Sequence, residues 1–179
     1  MEFNYDLKIP KERVAVLIGK EGSVKKELEA LTNLTIDVDS KEGDVKIRGE
    51  DSLKLFALKE VILAIGRGFN PDIAQLLLKQ DYVLDIIHLL DFVKNKNHFG
   101  RIKGRVIGTK GKSRATIETL TETFISVYGK TISIIGRSEN VVGAKKAVEA
   151  LIQGSPHSNV YTFLERNRVK LKRDEIENW

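Results

Sequence analysis

The chain has 179 residues, 41% of them hydrophobic, which is enough for one large or two small domains with ordinary cores. It contains no cysteine, which excludes a disulfide framework and a thiolate metal site, and no apolar run approaches the ~18 residues of a membrane span. Its net charge of +5 is unevenly spread: residues 1–89 hold 13 Lys+Arg against 16 Asp+Glu, whereas residues 90–179 hold 17 against 9. The basic surplus therefore lies entirely in the second half, and a sign-segregated surface of this kind points to a polyanionic partner. The N-terminal stretch "MEFNYDLKIP" is charged and lacks the apolar core of a signal peptide, so a cytoplasmic location is expected.

In chain order, Tyr5, Leu7 and Ile9 alternate as in a strand, which Pro10 ends. Val14, Leu17 and Ile18 mark a short helix, and Gly19-Lys20-Glu21-Gly22 interrupts it. A second helix is predicted from about Ser23 to Leu31, followed by two short strands, "LTIDVD" and "DVKIRG", around the turn "SKEG". Asp51 or Ser52 is positioned to cap a long helix, "DSLKLFALKEVILAI", whose apolar residues surround it and predict burial on more than one face. "GFNPDIAQLLLKQ" reads as a linker in which Pro71 starts a helix.

The second half repeats the order. "YVLDIIHL" is a strand, a short helix ends near Ile107, Gly108-Thr109-Lys110-Gly111 breaks it, and "KSRATIETL" is the next helix. "FISVYG" and "TISIIG" are strands around Gly129, and "SENVVGAKKAVEALI" closes the unit with Ser138 as its predicted cap. Offset by 89, Ile18, Gly19, Gly22, Leu31, Ile36 and Val38 recur as Ile107, Gly108, Gly111, Leu120, Ile125 and Val127. Two copies of one β-α-α-β-β-α unit follow from this repeat. The expected boundaries are a first domain over 1–67, a helical linker over 68–81, a second domain over 82–153 and a helical tail over 154–179. In the tail, Tyr161, Phe163 and Leu164 are expected to dock the helix on its domain rather than to stack bases.

The glycine turn carries the functional signal. Gly-x-x-Gly between two helices allows a tight left-handed corner, and the missing side chains let a ligand backbone approach closely. The helix that follows presents free N–H groups and its positive dipole end to the same space, which makes a seat for phosphate. Glycines end helices everywhere, so one such turn is weak. Here it occurs twice, each time between two helices and ahead of two strands and a third helix.

That context resembles the KH domain of the eukaryotic order, whose GXXG loop clamps about four nucleotides of single-stranded nucleic acid. The resemblance covers about residues 4–67 and 82–153. It implies an α+β fold of two KH domains, each a three-stranded antiparallel sheet packed against three helices, with a C-terminal helix in addition. It also implies a groove with Ile18 and Ile107 in its floor and Ile36, Val38, Ile125 and Val127 on the strand wall or its core side. The implied RNA-binding residues are Gly108, Thr109, Lys110, Gly111, Lys112, Arg114, Arg105, Ile107, Lys103, Arg101 and Ile125 in the second copy. In the first copy they are Gly19, Lys20, Glu21, Gly22 and Ile18.

The tail "GSPHSNVYTFLERNR", with the second glycine block and the strands from Ile125 to Gly136, is similar to the archaeal relatives of the eukaryotic ribosome-assembly factor partner of Nob. The resemblance implies binding of small-subunit ribosomal RNA near its 3′ end and cooperation with the endonuclease that matures that end. Contact with the alpha subunit of translation initiation factor two is a further implication. Both glycines of the first loop are present, although eukaryotic relatives tend to lose that motif.

The copies differ in charge. Lys110 is flanked by Arg105, Lys112 and Arg114, whereas Lys20 is offset by Glu21, with Lys25 and Lys26 a turn later. A carboxylate at a phosphate seat is repulsive, so the second loop is the expected main site. His88, His98 and His157 are far apart in sequence and have no acidic pair or metal spacing beside them, so capping or packing is expected of them. No nucleophile, base or metal constellation stands out, and neither enzymatic activity nor a cofactor is expected. Two other readings remain open: a KH-based scaffold that holds an RNA-processing endonuclease, and a general single-strand binder.

Overall fold

The structure is a computed structural model that describes all 179 residues, and the chain forms two compact units, Met1–Tyr82 and Val83–Trp179. The first contains β1 (Phe3–Lys8), α1 (Lys11–Ile18), α2 (Ser23–Thr32), β2 (Thr35–Val38), β3 (Asp44–Gly49), α3 (Ser52–Gly66) and α4 (Pro71–Ala74). Its antiparallel sheet has the order β1-β3-β2, with Tyr5 and Ile36 flanking Ile47. Alternation decides which side is covered: Ile36, Val45 and Ile47 are buried, while Asp37, Asp44 and Lys46 are exposed. Leu17 of α1, Leu28 of α2 and Leu58, Ile62 and Ile65 of α3 complete that core.

Asp51 caps α3, its carboxylate accepting from the N–H groups of Leu53 and Lys54 at 3.0 and 3.1 Å. Leu55, Leu58, Val61, Ile62 and Ile65 of this helix are buried, but Leu53 and Phe56 face solvent. The segment expected to be a linker packs on α3 and belongs to the first unit. Pro71 occupies the first turn of α4 and Asn70 caps it, accepting from the Asp72 N–H at 2.9 Å; Ala74 and Leu77 are buried.

The second unit contains β4 (Tyr82–His88), α5 (Phe99–Ile107), α6 (Lys112–Thr121), β5 (Phe124–Tyr128), β6 (Thr131–Arg137), α7 (Ser138–Ile152) and α8 (His157–Glu177). Its sheet has the order β4-β6-β5, the same topology as the first. Phe99, Ile102 and Val106 give α5 a single buried stripe, which meets Ile117, Ile132, Ile134, Val148 and Leu151 in the core. Ser138 is not a helix cap; its hydroxyl donates to the Glu139 carboxylate, and the backbone of Arg137 precedes the helix with no side-chain cap. Helix α8 docks through Val160 and Leu164, which are both buried, with Tyr161 half-buried. Each buried aliphatic of this kind contributes roughly 1.5–3 kcal/mol. Phe163, expected to share that role, points outward and is 40% exposed. No helix is long and apolar enough to cross a membrane.

Candidate nucleic-acid interface

The two glycine loops have the same backbone. Gly19 and Gly108 have φ/ψ of 75/175° and 74/176°, and the last glycines, Gly22 and Gly111, have 77/15° and 74/13°. Between them, Glu21 and Lys110 hold the left-handed region at 55/27° and 53/30°. A non-glycine residue there carries strain of about 1–3 kcal/mol, and its appearance at the same place in both units marks a corner the fold enforces.

The two glycines of each loop do different things. A Cβ on Gly108 would lie 2.6 Å from Cβ of Ser113 and 2.7 Å from its backbone nitrogen, and one on Gly19 would meet Val24 equally closely. The first glycine therefore lets the following helix start close beneath the corner. Gly111 has nothing within 4 Å of the place a Cβ would take, so the space above it is open. Above Gly22 lies Lys26, whose Cε and Nζ are 3.6 and 3.9 Å from the corresponding point and whose ammonium donates to the Glu21 carbonyl at 3.2 Å. The residue equivalent to Lys26 in the second unit is Ala115. The second mouth is therefore uncovered and the first is overlaid by a lysine.

At the start of α6 no side chain caps the helix, which leaves its first N–H groups and positive dipole end facing the open corner. Thr109, Lys110 and Lys112 are exposed around it. In the first unit Lys20 and Glu21 are both exposed at the equivalent corner. One side of α5 is bare as well: Gly104 and Gly100, four and eight residues before Gly108, have nothing within 4 Å of a notional Cβ. These glycines escaped the sequence reading, although two glycines four apart inside a predicted helix are a signal, since each costs about 1 kcal/mol relative to alanine.

Helix α6 is anchored by a tie that both units share. Glu118 accepts from the Ile125 N–H at 3.3 Å and pairs with Arg114 Nε at 3.3 Å. Glu29 likewise accepts from the Ile36 N–H at 2.8 Å and pairs with Lys25 at 3.5 Å. Burial pushes the Glu118 carboxyl above its usual range, more than the Ile125 N–H and the Arg114 guanidinium pull it down.

Three expected contact residues have other duties. Arg105 is a structural clamp, donating from Nε to Leu151 O at 2.9 Å and from Nη2 to Ser155 O at 2.6 Å at the end of α7. Arg13 makes the equivalent pair of bonds to Ile65 O and Phe69 O in the first unit, at 2.7 and 2.9 Å. Ile125 is 5% exposed and belongs to the core, because its strand turns that face toward Ile117 and Ile134. Arg114 is exposed but engaged with Glu118. Lys103 and Ile107, one turn apart on α5, are half-buried beside the bare side of the helix, as Ile18 is in the first unit, and Arg101 is exposed farther back. His157 packs, its Nε2 lying 2.8 Å from the Arg105 carbonyl oxygen and its ring edge-on to Tyr161.

Comparison with known proteins agrees with this fold. Residues 83–169 match the model of the eukaryotic type KH domain (KH-domain type I), and residues 4–64 match the KH domain model. A KH domain-containing protein of Methanocaldococcus jannaschii is 48% identical over 97% of this chain and 78% of its own length. The pre-rRNA-processing protein pno1 of Emericella nidulans is 33% identical over 70% of this chain, which spans 46% of that longer relative. Among solved structures, a chain in the crystal structure of the a/eIF2alpha-aDim2p-rRNA complex from Pyrococcus horikoshii OT3 superposes with a TM-score of 0.89. It is 43% identical, over 94% of this chain and 96% of that one. With two glycine loops of one geometry on two sheets of one topology, the chain belongs to the family of tandem KH-domain proteins that includes archaeal Dim2 and the eukaryotic pre-rRNA-processing protein Pno1.

Proposed function

We propose that the chain is a non-enzymatic, single-stranded RNA-binding protein of ribosome assembly that recognises small-subunit ribosomal RNA near its 3′ end. The RNA backbone crosses the Gly108–Gly111 corner, where the open space above Gly111 admits a phosphate to the free N–H groups of α6. Lys110 and Lys112 supply the countercharge, and the bare side of α5 at Gly104 gives the adjoining nucleotide room. The single observation that carries this reading is the uncovered corner at Gly111 beside the uncapped start of α6. The first loop, with Glu21 at its tip and Lys26 over Gly22, is the weaker site. The relative crystallised with rRNA and a/eIF2alpha supports both RNA and that initiation-factor subunit as partners. The endonuclease that matures the 3′ end is proposed as a further partner on the family resemblance.

The test is a fluorescence-anisotropy titration with a single-stranded RNA copying the small-subunit 3′ end, a scrambled RNA and a duplex. Wild type is expected to prefer the first. Lys110→Asp weakens binding far more than Lys20→Asp, with both variants folded by circular dichroism. Contact with about three phosphates gives a log–log salt slope of roughly −2, at ~0.7 per phosphate for a single strand. Equal losses from the two substitutions would refute the dominance of the second loop. Weak binding indifferent to sequence and to Lys110→Asp would favour a protein scaffold instead.

A further inference from the structure

Helix α8 leaves a second chemically distinct surface on the second unit. It folds back on α7 after the short turn at 153–156, and the two pack so closely that a Cβ on Gly143 would lie 2.7 Å from Nδ2 of Asn167. Along this helical hairpin runs a groove of about 550 Å³ lined by Val142, Lys146, Phe163, Arg166, Lys170 and Leu171, with Glu139 as its one carboxylate against three cations. Val142 is 54% exposed and Phe163 40%. Lys146, Arg166 and Lys170 are exposed, and none of them forms an ion pair.

The charge pattern leaves Arg166 with no carboxylate at helical spacing on α8. Arg166, Lys170 and Arg173 follow one another at i, i+4 and i+7 on α8, where like charges cost roughly 0.2–0.5 kcal/mol per pair, a cost that Asp174 and Glu177, four residues after Lys170 and Arg173, offset only in part. An anionic partner relieves that repulsion. The groove is also remote from the glycine corner. The middle of α8, at Leu164, Asn167 and Arg168, lies beside Leu120, Thr121 and Glu122 at the far end of α6. The ten residues of α6 put that end about 15 Å from the loop at the other end.

We propose that the α7–α8 groove docks an acidic amphipathic helix of a protein partner. Phe163 is the one aromatic ring in the groove, beside aliphatic Val142 and Leu171, so successive bases find no series of faces to stack on, whereas the side chains of a helix at i, i+3 or i+4 and i+7 fit a trough between two helices. The cationic rim of Lys146, Arg166 and Lys170 then meets Asp or Glu flanking those apolar anchors. This inference is independent of RNA binding at the glycine corner.

The experiment uses the full chain, isotope-labelled for amide NMR, and three probes. They are a designed 18-residue Glu-rich peptide with leucines at helical spacing, a peptide of the same composition with that spacing scrambled, and a single-stranded oligouridine. The amphipathic peptide is expected to shift the amides of Val142–Lys146 and Phe163–Lys170 and to leave Gly108–Lys112 unmoved. Lys146→Glu, Arg166→Glu and Lys170→Glu together weaken it at least tenfold. Phe163→Ala, which leaves the charge intact, weakens it as well. Equal binding of the scrambled peptide would overturn the proposal, as would groove shifts produced by the oligouridine but not by the peptide, or no shifts there at all. The oligouridine's effect on Gly108–Lys112 separately reports the RNA site.

Discussion

Gly108 lies so close to Ser113 that a Cβ on the glycine would be 2.6 Å from the serine Cβ. Gly111, with almost the same φ, faces open space. Alanine at Gly111 carries the left-handed penalty of about 1–2 kcal/mol, whereas at Gly108, whose φ/ψ of 74/176° only glycine adopts readily, it also forces the corner off α6. Gly108→Ala is therefore expected to destabilise the second unit by more than about 2 kcal/mol in urea unfolding and Gly111→Ala by about 1 kcal/mol. Gly111→Asp, which puts a carboxylate into the open space, keeps the fold and lowers RNA affinity at least tenfold. Equal destabilisation by the two alanines would contradict the division of labour between the glycines.

Gly104 gives a prediction with opposite signs. It sits inside α5 with nothing within 4 Å of its notional Cβ, so Gly104→Ala should stabilise the second unit by about 0.5–1 kcal/mol through helix propensity alone. If RNA lies along this side of α5, Gly104→Leu lowers affinity about tenfold while the fold survives. Thermal unfolding and anisotropy on the same samples read both.

Arg105 separates stability from binding in the other direction. Its two bonds to the end of α7, at 2.9 and 2.6 Å, are made by a charged donor to partly buried carbonyls. Arg105→Ala is expected to cost about 2–3 kcal/mol of second-unit stability. Arg101→Ala, which removes an exposed charge, is expected to change stability by less than about 0.5 kcal/mol.

Glu118 makes stability depend on pH. Its folded-state pKa is raised chiefly by burial, so the folded chain favours the protonated carboxyl more than the unfolded chain does. That contribution is fully present below the unfolded pKa and is lost as pH rises through the folded pKa. Glu118→Gln keeps an acceptor for the Ile125 N–H and has no charge to desolvate. Wild type is therefore expected to lose stability relative to Glu118→Gln as pH rises from about 4 to 7, measured by urea unfolding at each pH. A difference that stays constant or runs the other way would refute the assignment.

Much of the architecture was legible because it is local and repeated. The strands alternate, Asp51 and Pro71 start helices, and the glycines recur at an offset of 89, so the order of elements follows from periodicity and turn chemistry. The structure differs where long-range contacts decide. A guanidinium near a loop reads as a phosphate ligand until Leu151 and Ser155, some 50 residues away, are seen to accept its bonds. Ile125 reads as groove wall or core side alike until sheet pairing turns it inward, and Phe163 reads as a docking residue until Val160 and Leu164 take that face of α8.

The sequence by itself therefore determined two KH units, their glycine corners and the basic bias of the second, because short-range spacing and charge require no knowledge of distant contacts. The difference between the corners is local as well, since Lys26 stands one helical turn after Gly22 where the second unit has Ala115. The two loops share one backbone, and the difference lies in what stands above the last glycine: Lys26 over Gly22 and empty space over Gly111. Tertiary structure alone assigned Arg105 to the end of α7 and set Lys146 beside Arg166 and Lys170 in one groove, since only a folded chain brings residues so far apart in sequence together.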